Sequence, residues 1–288
     1  MEELRPKQIL CPIDFSEAAN LALQYAKVMA ERFQSRLLVL YADPYEPPPY
    51  FTADQQKDLV KAQARSRKAA KVHLSRQAKE RLGESIEAET IIVEDHPASG
   101  ILKTAASRGA DWIIMGTHGR SGWRRAMLGS TTERVLRKTE KPVLTVRHKE
   151  GENKLSPFTI QKILSPVNYT EVAQKALGYA AALAERFSAE LRVLTVIESP
   201  GEDTEESERK GLCAWIPGGI RPRCQIQEMV RRGNAGEQIL KTAGSDGCDL
   251  IVLGAQHKRF WDSTVIGTTT MNVIRHAPCP VFTVVLKI

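Results

Sequence analysis

The chain has 288 residues, 42% of them hydrophobic and 26% charged, which suits a soluble globular protein with room for two domains. Its net charge of +7 favours anionic ligands, and no apolar stretch reaches the roughly 20 residues that span a bilayer. The first residues, Met1-Glu2-Glu3-Leu4-Arg5-Pro6, lack the apolar run of a secretory signal, and the scattered cysteines have no CxxC spacing. Reduced thiols and a cytoplasmic location are therefore expected.

Along the chain, short apolar runs alternate with longer amphipathic ones. Residues 9–13, 37–41, 89–93, 112–115 and 143–146 read as strands. Residues 17–33 carry Leu21, Tyr25, Val28, Met29 and Phe33 at helical spacing, and 101–106 and 133–137 belong to further helices. A Lys/Arg-rich helix is expected over about 53–82. It reads as a solvated face, with too few aromatics for base stacking, so nucleic acid is not an expected partner. Strands that are apolar on both faces and alternate with helices imply a mostly parallel sheet covered on both sides. The last strand follows Pro142 and reads as an edge.

The pattern then repeats. Ile9-Leu10-Cys11-Pro12-Ile13-Asp14 returns as Ile163-Leu164-Ser165-Pro166-Val167-Asn168, and Ile101-Leu102-Lys103-Thr104-Ala105 as Ile239-Leu240-Lys241-Thr242-Ala243. Asp111 to Gly116 returns as Asp249 to Gly254, and Pro142-Val143 as Pro280-Val281. The chain reads as two tandem doubly wound α/β domains, 1–148 and 159–288, joined by a polar linker at 149–158. The second copy is shorter in its middle. Where the first has its basic helix, the stretch between Glu198 and Arg223 reads as a loop with one brief helical turn.

The chemistry concentrates after the fourth strand. Gly116-Thr117-His118-Gly119-Arg120 follows it, and Gly129-Ser130-Thr131-Thr132 opens the next helix. Glycine lets backbone approach a phosphate, although a turn needs it equally. A helix start adds N–H donors and a positive end, and His118 or Arg120 adds charge. Ligands of such sheets sit at the carboxyl ends of the strands where strand order reverses, which brings in Pro12, Ile13, Asp14 and Met115. Asp14 either accepts a hydrogen bond from a ribose hydroxyl or adenine amino group, or caps the following helix.

These residues resemble the universal stress protein family, whose nucleotide-binding members carry Gly-x-x-Gly, nine residues, then Gly-Ser or Gly-Thr. Gly116, Gly119, Gly129 and Ser130 match that pattern, and Asp14 matches the family's aspartate at the end of the first strand. The resemblance covers nearly the whole chain twice. It implies five-stranded domains of the adenine-nucleotide alpha-hydrolase-like kind, with ATP held near Asp14 and its triphosphate on the Gly-Ser loop, often with Mg or Mn. It also implies pairing through the last strands, here 143–147 with 281–285 inside one chain, and a homodimer is compatible with it. The implied role is an ATP-binding regulatory protein of the stress response.

The second copy departs from the pattern. Asn168 replaces the aspartate and His257 replaces the second glycine, while Gly254, Gly267 and Thr268 remain, and Phe260 and Trp261 add bulk. That site reads as weak or empty for ATP, or as altered for another ligand. In the first copy, Asp95 stands where the second has Gly233, an awkward carboxylate unless it faces away or reaches a metal. The sequence shows no nucleophile–base pair, no Walker lysine and no metal-ligand cluster, and His96 beside Pro97 reads as a turn residue. A slow ATPase or nucleotidyl-transfer enzyme and a nucleotide-independent interaction module are the alternatives.

Overall fold

The computed structural model describes residues 4–44, 52–117, 128–147, 159–198, 204–260 and 263–286. The first half runs β1 (Gln8–Pro12), α1 (Glu17–Phe33), β2 (Arg36–Ala42), α2 (Ala53–Leu82), β3 (Ala88–Val93), α3 (Pro97–Ser107), β4 (Trp112–Gly116), α4 (Ser130–Lys138) and β5 (Val143–Val146). The second runs β6 (Lys162–Pro166), α5 (Glu171–Phe187), β7 (Glu190–Ile197), α6 (Glu205–Trp215), β8 (Ile226–Arg232), α7 (Ala235–Ser245), β9 (Leu250–Phe260), β10 (Ser263–Ile266), α8 (Thr268–His276) and β11 (Val281–Leu286).

Ten strands lie side by side in the order β3-β2-β1-β4-β5-β11-β9-β6-β7-β8, and β10 pairs with β9 off this path. Along this path each half is parallel, as the two-sided apolar strands predict. Successive residues of a strand point to opposite faces. Ile9 and Cys11 accordingly pack with α1 and α2 on one face, and Leu10 packs with α3 and α4 on the other.

The halves meet through β5 and β11, which pair antiparallel with Leu144 opposite Phe282. The expected edge strands are edges only of their own halves; joined, they form the middle of one sheet and leave no open ladder there. Aromatic packing reinforces the seam. Trp112 sits edge-on to both Phe33 (5.0 Å) and Phe282 (5.1 Å), and Tyr179 lies 5.9 Å from Phe282. Arg32 lies over the Phe187 ring and Arg186 over the Phe33 ring, a reciprocal pair of cation–π contacts. Because the central pairing is antiparallel, the carboxyl ends of the two sets of strands lie at opposite ends of the sheet.

One expectation is corrected. The middle of the second half is not a loop with a brief turn; it contains α6, a helix of 11 residues. Thr204 caps it by accepting from the Ser207 N–H, and Glu205, Glu206 and Glu208 favour its positive end. Leu212 anchors it, with no exposed surface. Tyr169 holds it further, its ring edge-on to Trp215 at 5.5 Å and its hydroxyl donating to Glu208 at 2.5 Å. Burial, then that carboxylate, pushes the Tyr169 phenol up to about 12. Phe15 plays the same part in the first half, 4.8 Å from His73 of α2. Both residues have positive φ, 65° for Phe15 and 60° for Tyr169, at the turn between the first strand of each half and its following helix, and their rings meet α2 and α6 respectively.

Candidate functional site

In the first half, strand order reverses between β1 and β4: β2 and β3 lie on one side and β5 on the other. A cleft of about 300 Å³ opens at that point. Pro12, Ile13 and Asp14 line it from the end of β1, Met115 and Gly116 from the end of β4, and Gly129 to Thr132 from the start of α4. The expected residues therefore converge, apart from His118, Gly119 and Arg120, which lie outside the described residues. Ala19, Leu40, Ala42, Pro97 and Ile101 complete the walls. Sequence reading missed these five, although Leu40 and Ala42 sit at the end of β2, where the topology rule could have found them.

The double reading of Asp14 separates into two residues. Ser16 is the cap of α1, accepting from the Ala19 N–H at 3.2 Å. Asp14 Oδ1 accepts from both the N–H and the hydroxyl of Ser16, at 3.0 and 2.6 Å, so it orients the cap while lining the cleft.

At the opposite wall, α4 begins behind Gly129, which has no side chain to cap it. The first N–H groups of a helix need outside partners, and here none comes from a capping side chain. The turn is nevertheless fixed. The Thr132 hydroxyl donates to the Gly116 carbonyl at 2.8 Å, and the Gly129 N–H donates to the Thr117 carbonyl at 2.8 Å. A rigid, uncapped helix start facing an open cleft is a chemical fit for an oxyanion.

Gly116 has a different reason to be glycine than the sequence suggests. A Cβ there would lie 2.9 Å from the Ala18 carbonyl carbon, because α1 crosses the end of β4 closely. Gly254 is the same, with its virtual Cβ 2.7 Å from the Val172 oxygen. Both are packing glycines.

Asp95 is not among the residues that line the cleft. Its carboxylate accepts from Lys103 Nζ (2.7 Å), the Ser99 hydroxyl (3.0 Å) and the His96 N–H (2.8 Å). The Lys103 hydrogen bond, ahead of the others, holds its carboxyl below the usual range. His96 stands at the N-cap position of α3, consistent with a turn residue.

The second half has a smaller cleft of about 180 Å³ at the equivalent place, lined by Asn168, Gly254, Thr269 and Thr270 among others. Gly267 is the N-cap position of α8 and Thr268 its first residue. Asn168 Oδ1 accepts from the Thr170 hydroxyl at 2.7 Å, and Thr170 caps α5. The stretch after Gly254 is a hairpin: β9 runs on to Phe260 and pairs antiparallel with β10, with His257 opposite Ile266. Trp261 and the side chain of His257 lie outside the described residues. Among the described residues no group of three or more His, Cys, Asp or Glu could hold a metal ion, and no helix is long and apolar enough to cross a membrane.

Known proteins resemble this chain in sequence and in fold. A universal stress protein of Methanocaldococcus jannaschii is 33% identical over 165 residues, which cover 50% of this chain and 97% of that protein. A universal stress protein of Synechocystis is 36% identical over 174 residues, 60% of this chain and 57% of the relative. The crystal structure of a universal stress protein from Archaeoglobus fulgidus superposes with a TM-score of 0.72 at 22% identity, over 97% of this chain and 98% of that one. The pattern of the family described as "Universal stress protein family" matches residues 6–147, 159–212 and 222–284, so both halves carry it, and the chain belongs to that family.

Proposed function

We propose that the first cleft binds ATP and that the chain is a nucleotide-dependent regulatory protein, with its two halves, 1–148 and 159–288, acting as unequal domains joined by 149–158. The observation that carries this reading is the uncapped start of α4 facing Asp14 across one cleft. Ile13, Leu40, Ile101 and Met115 offer apolar walls to a base, and Asp14 offers an acceptor to its amino group or to the ribose. The first-turn N–H groups of α4, with the Ser130 and Thr131 hydroxyls, are donors for phosphate oxygens. In this reading His118, Gly119 and Arg120 belong to the same phosphate loop. No protein metal cluster is offered among the described residues, so Mg or Mn would be carried mainly by the phosphates themselves.

The described walls supply one carboxylate, Asp14, which is already engaged with Ser16, and no histidine. Our reading is that bound ATP is held rather than rapidly consumed: a general base must reach the attacking water, and His118 of the loop has no carboxylate placed behind it in sequence. The second cleft is the weaker of the two for ATP.

Denaturing the purified protein and assaying released nucleotide, with calorimetry of the refilled site, tests the proposal. One ATP per chain is expected. Protein that is nucleotide-free and also fails to bind ATP would sink it and leave a nucleotide-independent interaction module. Steady-state phosphate release far above background, abolished by Gly119→Val, would make the protein an ATPase instead.

A further inference from the structure

We infer that the second cleft is a site for an adenine-type base or its nucleoside, without phosphates. The walls that would hold a flat heterocycle are kept: Val167, Leu194, Val196, Ile239 and Leu253 line it. The uncapped helix start with its hydroxyl residues is kept as well; what has changed is the chain leading to it and the charge beside it. Between Gly254 and Gly267, a gap equal to that between Gly116 and Gly129, β9 pairs with β10. Their ladder engages the N–H groups that face the partner strand, which a phosphate-wrapping loop would need to turn inward.

A carboxylate also enters. Glu198 lines the second cleft, at the position that Pro44 holds in the first half. Its Oε1 accepts from the Ala235 N–H at 2.9 Å, so the positive end of α7 already has its anion. A triphosphate in this smaller cleft would meet that charge at close range.

The first-strand residue changes in the complementary sense. Asp14 offers acceptors alone, whereas the Asn168 amide offers a donor and an acceptor side by side. That pair matches the N6/N7 edge of adenine, the edge an Asn side chain reads with two hydrogen bonds. The hydrogen bond from Thr170 takes one lone pair of Asn168 Oδ1 and leaves a second, together with the amide donors. α8 also starts without a side-chain cap, so a lone oxyanion is the competing occupant that the test must expose.

The test uses the full chain carrying Ala42→Trp, which fills the first cleft, titrated in calorimetry with adenosine and with ATP. Adenosine is expected to bind at one site per chain, and ATP at least about tenfold more weakly, the order of one close unfavourable charge. Asn168→Leu should weaken adenosine about tenfold, Val196→Trp should abolish its binding, and Glu198→Gln should narrow the gap to ATP. No adenosine binding in the Ala42→Trp chain, binding indifferent to Asn168→Leu, or ATP tighter than adenosine each overturns the inference. Asn168 is exposed, so Asn168→Leu keeps the test alive should either tryptophan variant fail to fold. The outcome is separable from the first proposal, which concerns ATP in the other cleft of the unmodified chain.

Discussion

The two halves share five matching strands, the same reversal of order and the same packing glycines, and differ where those strands end. Both halves set an uncapped helix start beside the cleft, but the first faces it with Asp14 and the second with Asn168 and Glu198. The lesson lies in Gly116 and Gly254. Both survive because α1 and α5 pass within contact distance, whatever binds above them. A motif residue can thus be kept for a job in the fold, independent of any ligand. Asp14 and its counterpart Asn168 both steady the cap of the following helix, so the change of charge between them, which that job does not require, is the part that reports on chemistry.

The seam that joins the halves should give the largest effect. Phe282 has no exposed surface, touches Trp112 and Tyr179 from the other side of the pairing and its own half, and stands opposite Leu144. Phe282→Ala should cost about 3–5 kcal/mol, read by urea unfolding. A loss below about 1 kcal/mol would mean that the seam is loosely packed and the halves are not held as one sheet.

Next comes a paired substitution aimed at the clefts. Thr131→Glu places a carboxylate at the uncapped start of α4 and should weaken ATP binding by about a hundredfold, roughly 2.7 kcal/mol. Thr269→Glu is the same change in the second half and should leave the first cleft's ATP affinity alone. Equal losses from the two would erase the asymmetry between the clefts.

Much of this was legible in the sequence. The repeat and the alternation predicted two mostly parallel sheets, since apolar runs flanked by helices on both faces produce that pattern, and the resemblance to the family implied their joining through the last strands, which pair as β5 and β11. The cleft was legible through Asp14, Met115 and Gly129, which a topological rule brings together from distant positions. α6 was not, because its acidic first turns and single buried anchor, Leu212, give little apolar periodicity; Thr204 as a cap was the available signal. Nor could sequence spacing tell a packing glycine from a phosphate glycine. That distinction depends on how closely a helix crosses, a tertiary distance.

Gly116→Ala and Gly254→Ala sharpen that distinction. Each Cβ would fall within 3.0 Å of backbone, so each should cost about 1–3 kcal/mol through forced backbone shifts. The two losses should be similar, measured by thermal or urea unfolding without nucleotide. If only Gly116→Ala destabilised, or if neither did, the shared packing explanation would fail and a ligand-based reason for Gly116 would return.

The smallest effect separates Asp95 from Gly233. The Asp95 carboxyl is held low by Lys103, Ser99 and the His96 N–H, so the folded state binds its proton less readily than the unfolded chain. Its contribution to stability is therefore present above the ordinary aspartate range and fades as pH falls through the lowered value. Lys103→Met removes the leading cause, and the Asp95 carboxyl followed by NMR should titrate closer to an ordinary aspartate. Lys241→Met makes the matching change in the second half, where Gly233 supplies no carboxylate, and should leave every aspartate of the first half where it was. An Asp95 titration unmoved by Lys103→Met would show that Ser99 and the His96 N–H suffice. The lysine would then be a bystander, and the carboxylate would be held by the turn that starts α3.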